Sequence, residues 1–183
     1  MTIRYWEGER VTLRAMKPSD AALFHTFDDE VSRGLDGIQW PMSDAKFNSW
    51  FEQQQKARFD DSIRLVADNR ERVPVGTIDT FQCNRRHGTF KYGVAVAPQH
   101  QGQGYASEMI VMTLRFYFYE LGFQKATPHV FAFNAASIRL HEKLGFQLEG
   151  RLRSMMYTNG AYHDELHYGM TRDEFAALHG GGR

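Results

Sequence analysis

One stretch constrains this chain more than any other: VAVAPQHQGQGYASEMI, residues 94–110. A run rich in β-formers, Thr89–Val96, meets Pro98, which has no N–H for a ladder and so ends the strand. Two glycines follow. From Ala106 the apolar residues Ala106, Met109, Ile110, Leu114, Tyr117 and Leu121 then fall at helical spacing. A strand, a glycine turn and a long amphipathic helix in that order require a sheet with a helix laid against it. The same order creates an electrostatic feature. The start of a helix leaves about four backbone N–H groups unpaired and carries roughly half a positive charge. Glycine, lacking Cβ, lets a bulky anion reach them. Gln101–Ala106, QGQGYA, has the form of a phosphate cradle and equally that of an ordinary strand-to-helix turn. It is not the dinucleotide fingerprint, because no glycine follows three positions after Gly104. It is not the nucleoside-triphosphate loop either, because Gly-Lys-Ser/Thr is absent.

The rest of the chain reads as alternating elements. Val11–Arg14 alternates as a strand does, and Ser19 stands where a cap for a helix through PSDAALFHTF would be, with Asp20 in its first turn. A second helix runs through SDAKFNSWFEQQQKARF, capped by Ser43, with Phe47, Trp50, Phe51 and Gln54 on one face. Ser62–Ala67 and Val73–Phe81 are strands around DNRER, and KATPHVFAF is a strand despite Pro128. Asn134 opens a helix closed by Gly145 in the left-handed region. A last hairpin turns at Asn159–Gly160, suited to a type I′ turn, before the terminal helical turns of TRDEFAAL and a tail. The expected architecture is α+β: one domain over 1–183, with a core at 9–171 and a terminal segment at 172–183. It holds a mixed, twisted sheet of about seven strands covered by helices.

Charge and cysteine content narrow the function. Lys plus Arg equals Asp plus Glu, so the formal charge is zero and no basic excess points to nucleic acid or an anionic membrane. No stretch approaches the roughly 18 apolar residues of a membrane helix, and no signal-peptide core opens the chain. One cysteine, Cys83, precludes an intrachain disulfide and fits a cytoplasmic protein; it reads as a small core residue. HDELH, His163–His167, lies in a strand-like run, with aspartate where a zinc-protease motif needs glutamate. It is read as hairpin rather than metal site, and no metal is expected.

Gln99-His100-Gln101-Gly102-Gln103-Gly104 resembles the Q/R-x-x-G-x-G/A motif of the Gcn5-related N-acetyltransferases (GNAT). FNAASIRLHEKLGFQLEGRLR is similar to that family's Asn-x-x-Ala/Ser…Lys-x-Gly-Phe…Glu-Gly segment. YTNGAYHDELHYGM resembles the closing hairpin of the branch that includes ribosomal-protein N-terminal acetyltransferases. The resemblance spans roughly Glu9 to Thr171. It implies the GNAT fold, with helices on both faces of the sheet and two parallel strands that splay, here Tyr92–Val96 and Pro128–Phe133. The pantetheine arm of acetyl-CoA enters the gap and pairs with Val94, Ala95 and Val96. The pyrophosphate rests on the backbone of Gln101, Gly102, Gln103, Gly104, Tyr105 and Ala106. Asn134 is either a helix cap or an amide partner of pantetheine, and Ser137 either reaches the same arm or completes the first turn.

The activity implied is acetyl transfer to a primary amine by direct attack in a ternary complex. Many relatives place a tyrosine, as proton donor, where this chain has His141. Ser137 and His141 are neighbours on one helix face. His141 is either the general acid or a core histidine bonded to backbone. The base is unassigned among Asp79, Glu149, Asp164, Glu165 and a water chain. On the acceptor side Trp40 and Trp50, with Phe47 and Phe51, form either an aromatic wall or simply core. The acceptor is a small-molecule or peptide amine, and a homodimer is open. The alternatives to an enzyme are an acetyl-CoA-binding module with little turnover and a ligand-free interaction domain.

Overall fold

The computed structural model describes residues 4–56 and 61–180. The expected end of the second helix, at 57–59, and the last residues of the tail lie outside them. Strands β1 (Val11–Ala15), β2 (Arg64–Asn69), β3 (Pro74–Asn84) and β4 (Thr89–Val96) form an antiparallel meander. Short β5 (Lys125–Ala126) pairs in parallel with β4, and β6 (His129–Phe131) follows. The long hairpin of β7 (Gln147–Thr158) and β8 (Ala161–Thr171) turns at Asn159–Gly160, both with positive φ. The sheet runs β1-β2-β3-β4-β5-β8-β6, with β7 against β8. Among the described residues it has eight strands rather than about seven, because the strand expected over KATPHVFAF breaks at Thr127–Pro128.

That break opens the sheet. Thr127 donates the last bond across the parallel pair, to the Phe90 carbonyl at 2.8 Å. Pro128 has no N–H to continue it. β6 then pairs only with β8, His129 opposite His167 and Phe131 opposite Glu165. Beyond Phe90, β4 pairs only with β3.

Helices cover both faces. α4 (Tyr105–Tyr119) buries Met109, Ile110, Leu114, Tyr117 and Phe118 against Leu13, Ala67, Ile78 and Phe90. Phe90 stacks on Tyr117 at 4.3 Å. On the other face, Leu23 and Phe24 of α1 (Ala21–Phe24) and Phe47 and Phe51 of α3 (Asp44–Gln54) enclose Val66 and Ala97. Ser43 caps α3 as expected, its hydroxyl accepting from Lys46 N. α5 (Ala135–Leu144) is capped by Asn134, and α6 (Arg172–His179) by a Thr171–Glu174 capping box. A further helix, α2 (Asp29–Leu35), is absent from the sequence expectations. It buries no residue and offers no apolar stripe, though Asp28 Oδ1 caps it through Val31 N at 2.9 Å.

Ser19 is not a cap. The chain enters α1 through a 3₁₀ turn, Pro18–Asp20, and Asp20 turns inward. The guanidinium of Arg14 donates to both Asp20 oxygens, at 2.7 and 2.8 Å, and also to Asp68. Lys17 N adds a bond at 2.7 Å. Burial works against the Asp20 charge, but Arg14 and the Lys17 amide outweigh it and hold the carboxyl below its usual range. A second carboxylate anchors the other face. Glu108, in the first turn of α4, accepts the N–H groups of Glu9, Arg10 and Val11 at 2.5–2.8 Å, tying the helix start to β1.

Asp20→Ala leaves Arg14 half-paired and is expected to cost roughly 3 kcal/mol, read as a lower urea midpoint. Because the folded-state carboxyl is depressed, its contribution is complete above about pH 4 and fades as pH falls through the folded value. Stability of Asp20→Ala should therefore depend less on pH below 4 than that of wild type.

Candidate active site

A cleft of about 1780 Å³ lies where β4 and β6 part. Its floor is backbone. Along β4, Ala97 N bonds Val75 O and the Phe90 carbonyl bonds Thr127, so strand alternation turns the N–H and C=O of Tyr92, Val94 and Val96 toward the gap. On β6, Pro128 and Ala132 bond β8, which turns the backbone of His129 and Phe131 the same way. The Val96 carbonyl accepts Gln101 Nε2 at 3.2 Å.

At one end stands the start of α4. No side chain caps it, and Glu108 donates the first backbone bond, to Gly104 O. The N–H groups of Tyr105, Ala106 and Ser107 therefore point outward beside the cleft they line. Gly102 and Gly104 hold φ of 75° and 82°, the left-handed region that glycine enters freely. A Cβ on Gly102 would meet no atom within 4 Å, so it would project into open space at the cleft. This end fits a diphosphate: free amides, a helix dipole and no side chain in the way.

The structure brings Val94, Ala95, Val96, Gln101, Gly102, Gly104, Tyr105, Ala106, Asn134, Ser137, His141, Trp40 and Trp50 to this cleft. Gln103 is the exception: its carbonyl accepts from Arg10, and its side chain accepts the Tyr105 hydroxyl at 2.9 Å. Asn134 Oδ1 caps α5 through Ser137 N at 3.0 Å. Its Nδ2 abuts α2, where a Cβ on Gly34 would lie 2.8 Å away.

His141 is 2% exposed. Its Nδ1 donates to the Ser137 carbonyl at 2.8 Å, and Nε2 is buried without a partner. The ring stacks between Tyr92 and Tyr168. Burial lowers its pKa, against the opposing backbone bond, so the ring is neutral near pH 7 with its one proton on Nδ1.

Phe47 and Phe51 are core. Trp50 packs edge-on to Phe24 at the cleft wall, and Trp40 stands 85% exposed at its rim. Of the carboxylates named as bases, Asp79 alone lines the cleft, and it is bound to Arg64 at 2.7 Å. Glu149 pairs with Lys125. Asp164 accepts Ser154 N and Arg151, which hold its pKa down. Glu165 Oε1 lies 2.7 Å from His167 Nε2, off hydrogen-bond alignment. HDELH lies in β8, and among the described residues no cluster of His, Cys, Asp or Glu could hold a metal ion. No helix of the described residues is long and apolar enough to cross a membrane. Absent from the sequence expectations is His129, which lines the cleft at the parting of the strands. Alternation from Lys91 across the parallel pair would have placed it there.

Comparison with known proteins gives this geometry a lineage. The family model of the acetyltransferase (GNAT) domain matches residues 10–147. The chain is 46% identical, over 98% of its length and 100% of the relative's, to the SPbeta prophage-derived uncharacterized N-acetyltransferase YokL of Bacillus subtilis. It is 27% identical to spermidine N(1)-acetyltransferase of Vibrio cholerae, over 86% of this chain and 90% of that one. Its fold matches the crystal structure of spermidine N-acetyltransferase from Vibrio cholerae in complex with CoA and spermine, with TM-score 0.80, 22% identity, and coverage of 92% of this chain and 99% of that one. A backbone-floored gap between parting strands, an uncapped helix start behind two left-handed glycines, and a full-length match to N-acetyltransferases lead to one conclusion: this chain belongs to the GNAT acetyltransferase family.

Proposed function

We propose that the cleft carries out acetyl transfer from acetyl-CoA to a primary amine by direct attack in a ternary complex. The observation that carries this is the juxtaposition of free amides at the start of α4 with unpaired backbone on β4 and β6. One holds a diphosphate, the other an amide-bearing arm. Acetyl-CoA supplies the activated acyl group and a thiolate leaving group. Gly102, Gly104, Tyr105 and Ala106 would hold the pyrophosphate through their N–H groups. Gln103, turned away, would contribute backbone alone. Val94 and Val96 would pair with pantetheine, while Ala95, whose backbone faces β3, would only line the cleft. The N–H of Val94, aimed into the gap, suits the negative charge that gathers on the carbonyl oxygen during attack. Asn134 would cap α5 with its oxygen and offer its NH₂ group to the arm, and Ser137 would stand next to it. His141, neutral and with Nε2 bare, has no proton to give at that nitrogen. Its burial supports a role in holding Tyr92 and Tyr168 in place rather than as the acid.

On the acceptor side the wall is mixed. Trp40, Trp50, Phe27 and Phe81 stand with the acids Asp28, Glu30 and Asp36 and the bases Arg33 and Lys46. This supports an amine with an apolar or aromatic body over a bare polycation, although relatives named for spermidine keep polyamines in the comparison. A coenzyme A-binding module without turnover is the weaker alternative, since full-length relatives carry N-acetyltransferase names. Acetyl-CoA dependence and a single cysteine support a cytoplasmic setting.

A thiol-release assay with spermidine, tryptamine and an alanyl peptide tests the activity. Amine-dependent release is expected with at least one of them, fastest with tryptamine; none, despite acetyl-CoA binding, would leave only the binding module. Gly102→Val should stay folded at a cost of about 1 kcal/mol for an L-residue in the left-handed region, while its acetyl-CoA Kd by calorimetry rises on the order of tenfold or more. Unchanged affinity in a folded variant would remove the loop from the site. His141→Ala should lose roughly 2 kcal/mol or more of stability yet keep the shape of the kcat–pH profile; loss of one limb would restore the acid role.

A further inference from the structure

We propose that His129 is the catalytic residue that takes the proton from the acceptor ammonium, with Glu165 behind it to stabilise the imidazolium. This rests on the acetyltransferase reading above. His129 is the first residue of β6, directly after the proline that parts the strands, and it lines the cleft.

Register fixes the face it occupies. His129 pairs with His167 and Phe131 with Glu165, so His129, Glu165 and His167 share one side of the sheet. Thr89 pairs with Lys125 and Lys125 with Thr171, which carries that side across to Lys91 and Gly93 of β4. It is the side covered by α1 and α3, where Ala97 packs, and opposite the side where Tyr92 meets His141. With the arm of acetyl-CoA assigned beside α4 and α5, this side is the one left to the amine.

Chemistry singles out the same group. Nδ1 of His129 is buried with no hydrogen-bond partner among the described residues. The candidate carboxylates do not serve in its place: Asp79 is held by Arg64 and Asp164 by Arg151, and Glu165 lies behind the cleft rather than in its lining. Glu30 and Asp36 line the cleft from α2 but stand exposed. The charges that act on His129 come from several elements: Glu165 and His167 on β8, Lys91 on β4 and Asp36 at the end of α2. Arg33 and His163 line the same cleft. Burial, the largest influence, together with Lys91 and His167, lowers the His129 pKa, while Glu165 and Asp36 oppose the shift. The imidazole is therefore neutral near pH 7, with a lone pair to accept a proton.

The step balances. The ammonium N–H bond breaks as an imidazole N–H forms. That first proton passes on to water; the freed lone pair then attacks the thioester carbonyl, the C–S bond breaks, and the second proton lost from nitrogen passes through the same imidazole to the departing thiolate, so that one H⁺ is released overall. An amine with reference pKa near 8 or 10.4 is mostly charged at neutrality, so this transfer precedes attack.

The test is the pH profile of kcat for wild type, His129→Gln and Glu165→Gln, using whichever of spermidine, tryptamine and the alanyl peptide gives the fastest thiol release. Wild-type kcat should climb with pH along a limb centred below the usual histidine value of 6.5 and then level. His129→Gln should fall about 100-fold at pH 7, with acetyl-CoA Kd unchanged. Its deficit should shrink about tenfold per pH unit toward the amine's own pKa, where solvent does the deprotonation. Glu165→Gln should move the wild-type limb to lower pH, and decides the matter if His129→Gln loses acetyl-CoA binding and with it its fold. A folded His129→Gln within twofold of wild type at every pH, or a limb unmoved in Glu165→Gln, overturns the assignment alone. Wild type that binds acetyl-CoA but releases no thiol with any of the three overturns the acetyltransferase reading, and this assignment with it.

Discussion

Two residue pairs of parallel ladder, Thr89 with Lys125 and Phe90 with Ala126, are the hinge on which the molecule's chemistry turns. A longer ladder would zip β4 to β6 and hide their backbone groups. No ladder at all would leave the two halves of the sheet unjoined on this side. Pro128 sets the limit, because it cannot donate and β8 is at hand to take β6 instead. Backbone groups left over at such a place cannot stay unpaired in a dry core. They are satisfied only by water or by an arm carrying its own amides.

The anchors that hold this opening in place are carboxylates used against type. Glu108 sits at a helix start, where its charge is favourable, and spends both oxygens on three amides of the N-terminal strand. Asp20 is buried but paired on both oxygens by Arg14, which also holds Asp68. In each case a charge taken from water is met by several donors, the condition under which burial of an ion is tolerated. Neither carboxylate is left to compete for the incoming anion.

Much of this was legible in the residues, and unevenly so. β4, α3, α4 and α5 follow from strong periodicity and from caps with local chemistry: Ser43, the two loop glycines, Asn134 and Gly145. α2 did not, because with Val31 and Leu35 as its apolar residues and a glycine inside it has no stripe to read. Pro128 is plain in the sequence, but the change of partner it brings depends on β8, some forty residues on. The glycine motif treats Gln103 as one of a set, whereas the three-dimensional turn rotates it out toward Arg10 and Tyr105. His129 escaped notice for a related reason. Nothing beside it in the chain marks it, and its neighbours Lys91, Asp36, Glu165 and His167 come from three other segments.

The contact between α2 and Asn134 has a consequence for binding order. Gly34 leaves only enough room for the Asn134 NH₂ group, and the same helix lines the cleft with Glu30 and Arg33, beside the proposed amine site. A helix that touches both compartments joins their equilibria. If a ligand on one side shifts α2, the Asn134 amide on the other moves with it, and by reciprocity the first ligand to bind changes the affinity of the second by the same factor in either sequence of addition.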